Sequence, residues 1–333
     1  MQHAQAGRHQ QRDATPGQRV GHVAPHQVAQ QQRHQQAAVA EGPDHAHVAR
    51  AHAQREQVVG SRQAHSGTCQ LRQGQRRAIH HNQWHLKKTT VSYQFEVDAS
   101  ANVEAAHALA QGDGVVIAVI DDAFDIDHPE FAGPTKIVGA QSFDRRNAAQ
   151  GPRPKNALER HGTAAAGVAC ANGDAGACGV APRASLMPLK LTKPLGARAE
   201  ADAFYWAAEH GADIISCSWG PLEGHWADPT DPRHSQVFPL AASTRLAIEY
   251  AATKGRAGKG CVIFFGAGNG NECLDNDGYS SHPMVIAVGA CNDKSRRSAY
   301  SDYGKALWCC FPSGDQPHPD PKYKPATSNP QTR

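Results

Sequence analysis

The 333 residues predict an α/β fold of three layers: a mostly parallel twisted sheet with helices on both faces, recorded as C-terminally incomplete. Three observations carry this. Apolar, β-rich runs at 114–120, 184–191, 213–219, 261–267 and 284–290 lack the alternation of a half-exposed strand and read as strands buried on both faces. Helix-like stretches at 161–172, 199–211 and 239–254 lie between them, and such alternation with short connections implies parallel pairing. Asp121, Ser218 and Asn269 each stand where a predicted strand ends, the edge at which open parallel sheets gather ligands.

Composition sets the limits of that domain. Between Met1 and Gln75 there is no Ile, Phe, Tyr or Trp, Leu71 is the sole Leu, and the first Lys is Lys87. A segment dominated by Gln, His, Ala and Arg cannot bury enough apolar surface to offset its ordering entropy. Residues 1–82 are therefore read as low-complexity, either disordered or translated out of frame from a GC-rich gene. Twelve of the 20 His precede Lys87, including His45, His47, His80 and His81, but metal binding needs a fixed geometry that a floppy tail does not supply. Residues 83–333 have globular composition and suffice for one sizeable core.

Within that unit the first strand runs apolar from Gly114 to Ile120 and closes on the doubled carboxylate Asp121-Asp122. The first long helix opens at His161 on small residues, and in the third Leu240, Ala247, Tyr250 and Ala251 share a face. A net charge of +3, with Arg scattered and no aromatic interleaving, gives no case for nucleic acid. No run of ~18 apolar residues exists, so no membrane span is expected. Nine cysteines include no CxxC pair, and Cys170, Cys217, Cys261 and Cys291 lie in or beside apolar runs as small buried hydrophobes. A nucleotide-binding α/β domain is disfavoured, because no Gly-x-Gly-x-x-Gly follows the first strand.

Five motifs in order resemble those of subtilisin-like serine proteases. Val119-Ile120-Asp121-Asp122-Ala123 with His128-Pro129-Glu130 resembles the aspartate motif, and His161-Gly162-Thr163-Ala164-Ala165-Ala166-Gly167 the histidine motif. Gly179-Val180-Ala181-Pro182 is similar to the strand approach that follows, Ser218-Trp219-Gly220-Pro221 to the substrate strand, and Gly266-Ala267-Gly268-Asn269-Gly270 to the oxyanion segment. The doubled Asp121-Asp122, Ser218–Pro221 and Asn276-Asp277-Gly278-Tyr279 resemble the kexin-like branch in particular.

The resemblance implies a serine endopeptidase acting on polypeptides, in the chain order Asp, His, Ser. It makes His161 the general base, Asp121 the carboxylate that orients it, and Asn269 the oxyanion donor, a group worth about 10²–10³ in turnover in subtilisin. It assigns peptide pairing to Ser218, Trp219 and Gly220, and a pocket for Arg or Lys to Glu223 and Asp277. It implies no cofactor for the chemistry and a structural calcium with Glu130 as ligand, in a monomer secreted by analogy although Met1-Gln2-His3-Ala4-Gln5 lacks the apolar core of a signal peptide.

Two departures stand out. Ala123 occupies a position where the family usually has Gly, and a positive φ there would cost about 1 kcal/mol. No Gly-Thr-Ser-x-Ala run occurs; Ala326-Thr327-Ser328 echoes it too near the end for a helix to follow, so Ser328 is not expected to be the nucleophile. The expectations are a serine endopeptidase recorded without its Ser, and, alternatively, a catalytically dead peptide-binding pseudoenzyme.

Overall fold

A computed structural model describes residue 79 and residues 83–92, 95–144, 150–192 and 194–315. All lie in one compact unit, Ala51–Arg333. Most of the segment assigned to 1–82, with His45, His47, His80 and His81, and Ser328 at the other end, lie outside the described residues.

The unit begins with an antiparallel pair, β1 (Thr89–Ser92) and β2 (Phe95–Val97), and a single helical turn, α1 (Val103–Ala106). The main sheet comprises β3 (Val116–Asp121), β4 (Gln141–Ser142), β5 (Ser185–Lys190), β6 (Ile214–Cys217), β7 (Val262–Gly266), β8 (Ile286–Cys291) and β9 (Leu307–Pro312). Its order is β4-β5-β3-β6-β7-β8-β9, and every pairing is parallel. Three longer helices are α2 (His161–Cys170), α3 (Arg198–Glu209) and α4 (Ala242–Gly258). Among the described residues no helix is long and apolar enough to cross a membrane.

All six β3 residues are buried because helices pack on both of its faces. Ile117 and Val119 meet Ala166 and Cys170 of α2 on one side. Val116, Ala118 and Ile120 share one core cluster with Phe204 of α3 and Ala247, Ile248 and Ala251 of α4 on the other. Each Val, Ile or Phe side chain so withdrawn from water contributes about 1.5–3 kcal/mol, which is why the run is continuously apolar rather than alternating.

The five expected strands and three helices are present, with ends shifted by up to four residues, mostly inward, the third helix running on from 254 to Gly258. The third helix breaks late: Gly255 leaves helical geometry, and Arg256 and Ala257 take φ of 52° and 56°. Four strands were not anticipated. β4 has two residues, β1 and β2 stand outside the main sheet, and β9 (Leu-Trp-Cys-Cys-Phe-Pro) is an edge strand whose Pro312 sits at its end, where a missing N–H is tolerated. Ala123 does not take a positive φ and is fully buried, so the strain expected there is absent. Cys291 is half-buried rather than buried, while Cys178 joins the interior; the eight described cysteines are all free thiols.

Candidate active site

Parallel pairing brings the carboxyl ends of neighbouring strands to one edge of the sheet. Asp121 closes β3, in register with Lys190 at the end of β5, and Ile120 pairs with Cys217 at the end of β6. Asp121 is 4% exposed and its carboxylate receives His161 Nδ1 at 2.8 Å and 3.0 Å. That bond raises the His161 pKa above its ordinary value; partial burial works against it, and the charges of Asp121 and Asp122 add to it.

His161 is the first residue of α2, and the loop before it is tied down by ion pairs. Lys190, only 1% exposed, donates to Glu159 at 2.5 Å and to the Arg153 carbonyl at 2.9 Å; Lys155 pairs with buried Asp144. Gly162 then lets the helix touch the strand end: a Cβ there would lie 2.5 Å from the Ala123 carbonyl oxygen and 2.8 Å from Asp121 Cβ. Thr163 Oγ1 accepts the Asp125 N–H at 2.9 Å, a further stitch across the same contact.

Beyond β6 the chain emerges as Ser218, Trp219 and Gly220, with Ser218 and Gly220 exposed. Trp219 is held by a bond from its Nε1 to the Ile120 carbonyl at 2.8 Å and by edge contacts with Phe265 and Tyr279. The segment thus leaves the sheet with Ser218 and Gly220 exposed and the side chain between them anchored. Asn269 follows β7 on an exposed turn, its backbone N–H donating to Glu223 Oε2 at 2.7 Å. Glu223 and Asp277 line one pocket together with Glu272 and Asp302, which sequence reasoning missed. Asp277 is committed to its own turn, accepting from Tyr279 N, Ser280 N and Ser280 Oγ.

Comparison with known proteins decides the family: the subtilase family matches residues 112–332. This chain belongs to the subtilases. A calcium-dependent protease of Nostoc sp. is 55% identical over 245 residues, covering 74% of this chain and 36% of that protein. A dibasic-processing endoprotease of Schizosaccharomyces pombe is 32% identical, over 57% of this chain and 26% of that protein. The chain therefore spans about a third or less of the length of these curated relatives. In fold it is similar to a serine protease of Aeromonas sobria, with a TM-score of 0.56 at 20% identity, over 75% of this chain and 46% of that one.

The electrostatics of this subtilase are most unusual around Gly268. A Cβ on Gly268 would lie 2.2 Å from Asp302 Oδ2 and 2.3 Å from Glu223 Oε1, so two carboxylates converge on one spot. Burial, with Glu223 and Glu272 as like charges, pushes the Asp302 pKa to about 7, against the pull of backbone N–H bonds. Burial also raises Glu223, opposed by the Asn269 N–H and reinforced by Glu272 and Asp277. Glu272 is partnered by His234 Nδ1 at 2.7 Å.

The expected calcium ligand, Glu130, has another role. Buried at 2% exposure, it accepts four backbone N–H bonds from Gly173, Asp174, Ala175 and Ala177, which occupy both oxygens. It clamps a loop and has no lone pair left for a cation. Among the described residues no group of three or more His, Cys, Asp or Glu side chains is placed to hold a metal ion.

Proposed function

We propose that this subtilase is a serine endopeptidase in which Asp121 and His161 form the acid–base pair. The observation that carries the reading is the grip of Asp121 on His161 Nδ1. With Nδ1 so held, Nε2 is the nitrogen that takes a nucleophile's proton and returns it to the leaving amine. The Asn269 amide would donate to the developing oxyanion, and a substrate strand would pair along Ser218–Gly220. The side chain before the cut would enter the pocket of Glu223 and Asp277, where clustered carboxylates favour Arg or Lys. Arg233 also lines this pocket, but its guanidinium is paired with Asp231.

A second reading, peptide binding without cleavage, is favoured by one observation: Ser218 and Gly220 are exposed on either side of the anchored Trp219, free to meet a peptide. Internally quenched peptides with Arg or Leu before the cut, assayed on the complete enzyme rather than on these 333 residues alone, distinguish the two. Hydrolysis that is blocked by a serine-directed fluorophosphonate and abolished in His161→Ala supports the peptidase. Saturable peptide binding with no hydrolysis supports the second reading. Arg is expected to be preferred at least tenfold, and Glu223→Gln with Asp277→Asn is expected to erase that preference; a Leu preference in the parent defeats the pocket assignment.

Calcium, named in the Nostoc relative, fits the donor chemistry of Asp302, a buried hard-oxygen carboxylate whose like-charge neighbours a dication would offset, with backbone carbonyls or water completing the shell, while Glu223 stays with the pocket. Its part would be structural, fixing the turn that carries Asn269. Calcium at 100 times its dissociation constant is expected to raise the melting temperature by on the order of 5–10 °C over a chelator control. Asp302→Asn should remove that increment and Glu130→Gln should leave it; an increment unchanged in Asp302→Asn refutes the site.

A further inference from the structure

We infer that Asp122 is a positioning residue for His161: its carboxylate seats the first turn of α2 against the end of β3 and so fixes where the imidazole stands. This deepens the proposed acid–base pair and rests on it. The first N–H groups of any helix lack intrahelical partners, and a side chain at the N-cap normally supplies one. Here the N-cap is Arg160, which makes no capping bond. Asp122 supplies the acceptor from across the contact instead: Oδ1 receives Gly162 N–H at 2.8 Å and Ala123 N–H at 2.6 Å, and Oδ2 receives His161 N–H at 3.3 Å. One carboxylate thus binds the loop leaving β3 and the helix that carries the base.

The charge matters as well as the bonds. A carboxylate at a helix N-terminus meets the positive end of the dipole, and here its charge adds to that of Asp121 in raising the His161 pKa. The doubled acid therefore divides one task. Asp121 holds the ring, and Asp122 holds the backbone from which the ring is hung. A ring held at one end alone could keep its tautomer yet drift from the substrate edge at Ser218.

The test needs no turnover. In the full 333-residue chain labelled with ¹⁵N-histidine and ¹⁵N-glycine, NMR reads the His161 ring and the Gly162 amide together, with His161→Gln to locate the ring signal. Asp122→Asn keeps an acceptor oxygen and removes the charge; Asp122→Ala removes both. In Asp122→Ala, Gly162 amide exchange is expected to quicken about five- to tenfold and the Nδ1 proton signal to broaden. In Asp122→Asn the amide should stay protected while the imidazole midpoint falls, because one of the charges that raises it is removed. The inference is overturned if Asp122→Ala leaves both signals as in the parent, or if Asp122→Asn loses Gly162 protection as fully as the Ala variant. Should the Ala variant not fold, an unshifted midpoint in Asp122→Asn overturns it alone. Asp121→Asn separates the two readings: an unchanged Nδ1 proton there defeats the acid–base pair, while the Asp122 result still stands on the Gly162 amide.

Discussion

Gly162→Ala is expected to destabilise the domain by about 1–3 kcal/mol and to separate His161 from Asp121, whereas Gly167→Ala in the same helix should stabilise it by about 0.5–1 kcal/mol. The two glycines look alike in His161-Gly-Thr-Ala-Ala-Ala-Gly167, and propensity alone makes alanine the better residue at both. Space makes the difference. At Gly167 an added Cβ meets nothing within 4 Å, but at Gly162 it meets the Ala123 carbonyl oxygen at 2.5 Å, Asp121 Cβ at 2.8 Å and Phe124 Cε1 at 3.1 Å. None of these is the loose end of a flexible side chain, so the helix must back away from β3. The retreat lengthens the bond from Nδ1 to Asp121 and the bond from the Gly162 N–H to Asp122 at once. Urea midpoints give the two signs, and the Nδ1 proton signal reports the separation. A Gly162→Ala variant as stable as the parent, with that signal intact, would mean the contact is looser than its distances say.

That contrast shows which parts of the molecule are legible in the letters. β3 could be read because both its faces are buried, and two-sided burial writes a continuous apolar run. Asp121 and His161 could be read because one ends such a run and the other opens a helix. β9 could not: its residues are largely exposed, and an edge strand carries neither a buried run nor a clean alternation. Asp302 was equally invisible. Nothing in its spacing ties it to Glu223; it is placed by pairing of the loops after β7 and β8, where its N–H meets the Gly268 carbonyl and Tyr303 N–H meets Glu272. The sequence reading put Glu130 on a metal, with a solvated acid as the alternative, because it follows His128-Pro129 where the family usually has Asp; only the fold shows four N–H groups converging on it.

That convergence sets the second large effect. Glu130→Ala is expected to cost about 3–5 kcal/mol, because the Gly173, Asp174, Ala175 and Ala177 N–H groups lose their common acceptor at a buried site. Burial by itself would raise the Glu130 pKa; the four N–H bonds outweigh it and hold the carboxyl below its ordinary 4.5. A depressed folded-state pKa means the unfolded chain binds the proton first as pH falls. Glu130 therefore contributes its full stabilisation above the unfolded value and loses it as pH drops through the folded one. Glu130→Gln, which keeps the shape and one acceptor oxygen, should accordingly be less stable than the parent by a constant margin above about pH 6. Below about pH 4.5 the margin should narrow, because the parent then carries a neutral carboxyl as well. Denaturant midpoints of the two proteins between pH 3 and 8 measure the margin directly. A gap that stays level across the whole range would show that shape, not charge, holds the loop between α2 and β5, and that the depressed acidity of Glu130 has no share in the fold.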